Sequence, residues 1–254
     1  VGIIAGKVLQ IEPADKLNKC VIDCGDAGKF ECVTTDKSII VGDIVPYAPP
    51  GAVLADGNAV AKRTIRNIES RGMMLSIVEL GLAETATGIW RINDSKLKPG
   101  DNLIKSLKLD DYILEFEITP NRSDCLSALG LAYQIAAICG KEIKIPQIPA
   151  FENNNINIEN KIKIEISDYS ACPKYTARYI ENVEIKAADA LIQTRLYQCG
   201  LRVINNAVDI TNYTLLEVGQ PLHAFDYSLL RGNKIIVRFA NENETVKTID
   251  GQVR

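Results

Sequence analysis

Histidine is almost missing from this chain: among 254 residues there is one, His223. That excludes a zinc site built on two histidines. The seven cysteines (Cys20, Cys24, Cys32, Cys125, Cys139, Cys172, Cys199) include no C-x-x-C pair of the zinc-ribbon kind. No metal site is expected. An odd number of scattered thiols, several in apolar runs such as IAAIC, reads as reduced, buried cysteine in a cytoplasmic protein. No run of roughly 18 apolar residues occurs, so no transmembrane helix and no membrane partner are expected. VGIIAGKVLQIEP has neither the basic leader nor the unbroken apolar stretch of a signal peptide. There is no P-loop and no G-x-G-x-x-G, so no recognisable ATP site.

What is present is an ordinary globular composition. The net charge of −3 means that the surface as a whole is no trap for a polyanion, so any contact with nucleic acid must come from local patches. The chain opens on Val1 and stops at Arg254, within a stretch (TVKTIDGQVR) that reads as a strand. It is expected to be a piece of a longer protein.

The first hundred residues read as β. GIIAGKVLQI, KCVIDC, KFECVTT and DIVPYAPPGAVL are short Val- and Ile-rich runs separated by Gly, Asp and Pro, the pattern of a small barrel or sandwich. NAVAKRTIRNIESR follows, with Lys62, Arg63, Arg66 and Arg71 against Glu69 alone. These four cations are the candidate phosphate contacts, and a solvated strand with scattered charge is the plain alternative. GMMLSIVELGL reads as a short helix or turn, and KLKPGD as a linker.

DDYILEFEITP alternates as a strand that Pro120 stops. Glu115 and Glu117 share one face of it, which reads as solvent-facing rather than as a magnesium site. In NRSDCLSALGLAYQIAAICG, Leu126, Leu129, Tyr133, Ala136 and Ala137 fall on one helical stripe. Ser123 or Asp124 is the expected cap and Gly140 the expected end. The Pro- and Asn-rich IPQIPAFENNNINIENK marks a second boundary. Beyond it KIKIEIS and KIIVRFA read as strands, and DALIQTRLYQCG and NNAVDITNYTLLEVG as helices ended by Gly200 and Gly219. The second half is therefore mixed α and β.

Three stretches together carry a resemblance. AGKVLQIEPADKL, VGDIVPYAPPGAVL and RGMMLSIVELGL look like a tRNA-binding OB-fold module. EFEITPNRSDCLSALGLAYQIAAICGK and GLRVINNAVDITNYTLLEVGQPLHAFD follow in the same order as in one family. The chain resembles the β subunit of bacterial-type phenylalanyl-tRNA synthetase, over essentially its whole length. In that family the lead-in to Ala14-Asp15-Lys16-Leu17 is fuller, a leading segment precedes the OB-fold, and the editing domain continues past the point matched by Arg254.

The resemblance implies a multidomain fold: a β-barrel (OB-fold) followed by a mixed α+β editing domain, here truncated. It divides the chain into an OB-fold domain over 1–108, a strand-helix connecting segment over 109–155, and the first part of the editing domain over 156–254. It implies a cytoplasmic ligase that binds tRNA(Phe) and works with an α subunit as an α2β2 heterotetramer. ATP and magnesium serve the complete enzyme on the α subunit, none is bound by this fragment, and the fragment alone is expected not to charge tRNA. The resemblance also places Thr211, Asn212 and His223 in a pocket that hydrolyses mischarged Tyr-tRNA. A hydroxyl, an amide and an imidazole suit that chemistry, with His223 orienting water or ribose, or acting as general base. Asp209, Gln220 and Asp226 read as capping and turn residues, and Glu217 points away from the Thr face of a helix. The competing reading is a non-enzymatic tRNA-binding OB-fold protein with a docking or dimerisation unit. A third, a cysteine hydrolase using His223, has no cysteine marked out as nucleophile.

Overall fold

The computed structural model of the chain describes residues 2–145, 148, 157–248 and 251–254. It forms two compact units. The first comprises Val1–Glu142 with Ile185–Leu222, the second Ile143–Glu184 with His223–Arg254. Most of the expected second boundary, at 146–147 and 149–156, lies outside the described residues.

The first unit is built on β1 (Ile4–Ala14), β2 (Leu17–Asp23), β3 (Lys29–Thr34) and β4 (Ile44–Ala48), then a small hairpin of β5 (Arg63–Ile65) and β6 (Ile68–Ser70), and last β7 (Met73–Met74). All but the hairpin strands make one antiparallel sheet in the order β3-β2-β1-β4-β7. β1 does double duty: Lys7–Ala14 pairs with β2 and Ile4–Lys7 with β4, and an irregularity between Val8 and Gln10 bends the strand. The far edge of β7 comes back toward β3, where Arg71 N–H donates to Glu31 C=O at 2.8 Å, so the sheet nearly closes into a barrel. The barrel-like half expected from the short Val- and Ile-rich runs is therefore present.

Two apolar clusters fill it. One gathers Val8, Cys20, Ile22, Cys24, Cys32, Val45, Tyr47 and Met74 between the strands; the other gathers Ile3, Leu75, Trp90, Ile92, Leu103 and Leu107 at one end. Tyr47 is the largest fully buried side chain among the described residues, and its hydroxyl donates to the Arg71 carbonyl at 2.6 Å. Burial pushes the thiols of Cys20 and Cys24 up to about 11 and about 12, and that of Cys32 higher still. These three, with Cys125, are the buried thiols that the sequence leads one to expect. Cys139, the last residue of the helix Ala128–Cys139, and Cys199, which follows the last residue of the helix Ala190–Gln198, are exposed instead.

After the barrel come α1 (Leu103–Ser106), α2 (Ala128–Cys139), α3 (Ala190–Gln198) and α4 (Asn206–Val218). Each is capped by a polar side chain that accepts a backbone N–H: Asn102, Ser127, Asp189 and Asn205. α2 ends at Gly140 as expected but starts later than expected. Ser123–Cys125 forms a separate 3-10 turn, and the cap is Ser127, not Ser123 or Asp124. No residue of α2 is buried, and Tyr133 and Ile138 stand well exposed.

The alternating DDYILEFEITP stretch is not a strand. It has no regular structure, with Tyr112 at 90% and Leu114 at 73% exposure, and no ladder partner lies beside it among the described residues. Alternation gives a segment two faces, but a strand also needs a neighbour to bond. GMMLSIVELGL supplies β7 and then turns, and no helix. In the second unit β8 (Lys163–Ile166) and β9 (Lys234–Val237) are strands as expected, and they pair in parallel. Near the chain's end a single bridge joins Lys247 to Val253, while Ile249 and Asp250 lie outside the described residues.

Gly72 gives a test of the barrel seam. It has φ +130, and a Cβ there would run into the Tyr47 hydroxyl and stand 2.6 Å from the Ala48 carbonyl; Gly28, at φ +95, has nothing within 4 Å. Both backbones disfavour alanine, but only Gly72→Ala adds overpacking, at about 1–3 kcal/mol. Chemical unfolding should therefore rank Gly72→Ala well below Gly28→Ala. Equal midpoints would show that the seam yields freely.

Candidate functional site

α4 carries two of the three residues singled out for ester chemistry. Asn205 caps it, accepting from Val208 N–H at 3.1 Å, and Gly219 ends it in the left-handed conformation, so both ends of the helix are fixed. Thr211 and Asn212 lie in its second turn, beyond the reach of a cap. The capping account of these two residues does not apply. Thr211 donates its hydroxyl proton to the Val208 carbonyl at 2.7 Å, which leaves its oxygen free to accept. The half-buried Asn212 amide has no hydrogen-bond partner among the described residues, so its donors and acceptor are open. Glu217 is exposed near the other end of the helix.

His223 belongs to the second unit. It is exposed, and its ring lies 4.4 Å from that of Phe225 at a 59° tilt. Three residues on, Asp226 accepts from Ser228 N–H at 2.9 Å and caps a 3-10 turn over Tyr227–Leu229, the structural role expected of it. Tyr227 in turn meets Tyr179 edge-on, with centroids 4.8 Å apart, and donates to the Lys161 carbonyl at 2.8 Å. The residues following His223 are thus anchored to the body of the second unit.

Asp209, read from sequence as a capping residue, turns out to be wholly buried in the first turn of α4. One carboxylate oxygen accepts from Ile204 N–H at 2.8 Å, outside the helix, and the other has no hydrogen-bond partner. Burial pushes this carboxyl above the usual carboxylate range, against the pull of the backbone N–H groups of Ile204 and Asn205. The loop that enters α4 therefore hangs on a charge held in an unfavourable place.

The four candidate cations lie on and beside the β5–β6 hairpin. Its two-residue loop, Arg66-Asn67, has positive φ at both positions, as a tight hairpin requires. Three of the four are already paired: Arg66 with Asp15 at 2.8 Å, Lys62 with Glu69 at 2.7 Å, and Arg71 with the same Glu69. Arg63 has no such partner among the described residues. All these pairs are exposed, and a phosphate could exchange for the carboxylates at little cost. A cleft of about 730 Å³ opens beside the hairpin tip, lined by Thr34, Asp36, Ser76, Glu79, Glu84 and Thr87 among others, with no cation in its wall. Such a lining disfavours a polyanion.

NRSDC is structural. Arg122 bonds both oxygens of Asp124, at 3.0 and 2.8 Å, and also the Gln134 side chain at 2.5 Å. The guanidinium holds the Asp124 carboxyl down at about 2. Asp110, Asp111, Glu115 and Glu117 do not gather: no group of three or more His, Cys, Asp or Glu side chains is placed to hold a metal among the described residues. No helix there is long and apolar enough to cross a membrane.

The B3/4 domain family model matches residues 171–254, the stretch that contains α3, α4 and His223. From end to end, the chain is similar to phenylalanine–tRNA ligase beta subunits. Identity is 40% with the beta subunits of Bacillus subtilis and Bacillus cereus, and 38% with that of Anaeromyxobacter dehalogenans. Each alignment takes in 100% of this chain and 32% of the relative. The chain therefore spans about a third of the length of these beta subunits. Two features near the site gave no signal in the sequence: the burial of Asp209, and a hydrogen bond between Trp90 and Gln193 described below. The second joins residues 103 positions apart, which only folding brings together.

The charge of Asp209 can be tested by substitution. With the folded carboxyl titrating above its unfolded value, the native state binds the extra proton, so stability falls as pH rises from the unfolded value through the folded one and is level beyond. Asp209→Asn keeps the acceptor for Ile204 and removes the buried charge. It should match or exceed the parent's melting temperature at pH 7, with the advantage shrinking on acidification. Asp209→Ala leaves the Ile204 N–H unpaired, at about 1–3 kcal/mol. Melting curves of both variants from pH 4 to pH 8 decide it, and an asparagine variant that melts lower at every pH contradicts the assignment.

Proposed function

We propose that this chain is part of a phenylalanine–tRNA ligase beta subunit, in which it binds tRNA and contributes to hydrolytic editing of Tyr-tRNA. The observation that carries the reading is the similarity of about 40% along the whole chain. The proposal keeps the division into an OB-fold tRNA-binding domain over 1–108, a connecting segment over 109–155 and the first part of an editing domain over 156–254. The near-closed antiparallel barrel supports the first, and the B3/4 match from residue 171 is consistent with the last. The partners are tRNA(Phe) and an α subunit in an α2β2 assembly, in the cytoplasm.

A pocket shaped for the phenylalanine ring rejects the added hydroxyl of tyrosine by only about 10²-fold, so a second site is needed to remove the wrong product. That site gains discrimination when buried polar groups bond the phenol, because phenylalanine leaves them unpaired. In the hydrolysis, water attacks the ester carbonyl, the tetrahedral intermediate collapses, and tyrosine leaves as the terminal ribose recovers its hydroxyl. Asn212, with its amide uncommitted, suits a donor to the developing oxyanion or the ribose. Thr211, fixed by its bond to Val208, suits an acceptor. His223, exposed and set against Phe225, suits the group that orients the water or takes its proton.

ATP and magnesium supply the activation chemistry of the complete enzyme. The residues described in this chain do not fit them: there is no P-loop and no gathered set of carboxylates. No step here runs through either, and the chain alone is expected not to charge tRNA.

Two measurements on the complete beta subunit with its partner test the reading. First, Tyr-tRNA(Phe) is offered to His223→Ala, Thr211→Ala and Asn212→Ala. Deacylation should fall by roughly 10²–10³-fold where an oxyanion donor or proton acceptor is lost, with phenylalanine charging intact. Unchanged deacylation in all three sinks the editing assignment. Second, removing the hairpin cations Lys62, Arg63, Arg66 and Arg71 should weaken tRNA binding and reduce the salt slope by roughly one per lost phosphate contact. An unaltered slope removes the hairpin from the interface.

A further inference from the structure

The chain's one tryptophan, Trp90, is almost fully buried at the end of the barrel, and its indole N–H donates to the Gln193 side-chain oxygen on α3 at 3.1 Å. Gln193 is itself buried, and its amide N–H donates to the Ala188 carbonyl at 2.7 Å, so both ends of the amide are spent. Nearer the surface, Asn93 makes a second pair of ties. Its backbone carbonyl accepts from Ala190 N–H at 3.1 Å and its side-chain amide donates to the Ala187 carbonyl at 2.9 Å. Ala190, with no exposed surface, completes the apolar cluster of Trp90, Ile92, Leu103 and Leu107. At the other end of α3, Gln198 reaches the Lys108 carbonyl at 3.4 Å. α3 then packs on α4, where Arg195 donates to the Tyr213 hydroxyl at 2.6 Å, one residue beyond Asn212.

We propose that Trp90, Asn93 and Gln193 are positioning residues: they form a joint that makes the barrel and the α3–α4 pair one rigid body. It holds Thr211 and Asn212 at a fixed place relative to the barrel. This rests on the reading of the barrel as a tRNA-binding module and of α4 as part of an editing site. The physical reason is directional. Apolar contact alone lets a helix slide on a barrel end, whereas three hydrogen bonds from one indole and one asparagine fix both its rotation and its translation. The joint links Trp90 to a residue 103 positions away in sequence, so no local element could serve instead. A displacement of about 1 Å at a reacting group costs on the order of 10²-fold in rate. A barrel that grips tRNA is of use to an ester-cleaving helix only if the distance between them does not drift.

The test uses the complete beta subunit with its partner. Spin labels are carried by bioorthogonal amino acids at Lys29 on β3 and Glu217 on α4, both exposed. Pulsed electron spin resonance should give one narrow distance distribution in the parent protein. In the double variant Asn93→Ala with Gln193→Leu it should broaden. Deacylation of Tyr-tRNA(Phe) should then fall at least tenfold, in kcat rather than KM, with phenylalanine charging unchanged. Trp90→Phe keeps the ring packing, removes the donor and should give an intermediate width, which keeps the test usable if the double variant does not fold. A broad distribution in the parent, a narrow one in the variants, or broadening with deacylation at the parent's rate while Thr211→Ala or Asn212→Ala lowers that rate would each overturn the joint. Thr211→Ala and Asn212→Ala run alongside separate the two claims. If these two and His223→Ala all leave deacylation untouched, the editing assignment falls, while the distance measurement still judges the joint.

Discussion

The end of the barrel is closed by a residue from far down the chain, and much of the first unit depends on that closure. Without Ala190 the cluster around Trp90, Leu103 and Leu107 lacks one wall. Without Gln193 the indole N–H of Trp90 is buried with no acceptor. The helix that supplies both residues therefore cannot be treated as an appendage. Apolar closure and polar satisfaction fall on the same turn of α3, and neither can be exchanged without disturbing the other. This is why 185–222 packs with the barrel, although more than forty residues of the second unit lie between them in sequence.

The parts of this fold that were legible in the sequence are those whose causes are local. Gly140 and Gly219 end α2 and α4 where they stand, because a left-handed residue with no Cβ is a property of one position. The alternation of KIKIEIS and the apolar run of KIIVRFA become β8 and β9, since each found the other as a partner. The equally regular alternation of DDYILEFEITP found none among the described residues, and a pattern without a partner does not make a strand. The same distinction separates the thiols. Cys20 and Cys32 face each other across β2 and β3 inside the barrel, while Cys139, on an apolar helix of similar look, is left outside.

Charge was less legible than hydrophobicity, for a related reason. Counting cations along NAVAKRTIRNIESR gives four against one, yet the hairpin sets Lys62 and Arg71 on that single Glu69 and brings Asp15 to Arg66 from another turn. The local field is set by which carboxylates fold back against the stretch, and the spacing of its own residues does not reveal that. Asp209 shows the converse. As a letter near a helix start it reads as a cap, but its surroundings make it a buried charge whose second oxygen has no hydrogen bond.

That buried carboxylate gives a reason for the shape of the candidate site. Asp209 fixes the loop before α4 by bonding Ile204, Asn205 fixes the helix start, and Gly219 fixes its end. Between those fixed points the two open polar groups, the Asn212 amide and the Thr211 oxygen, project from a helix already tied to its neighbour. A group that must meet a transient charge gains most when it does not have to reorganise to meet it. The cost of such rigidity is borne by Asp209, which is not itself one of the open groups. A buried, half-satisfied aspartate that folding alone would not favour is understandable where it holds a polar helix still.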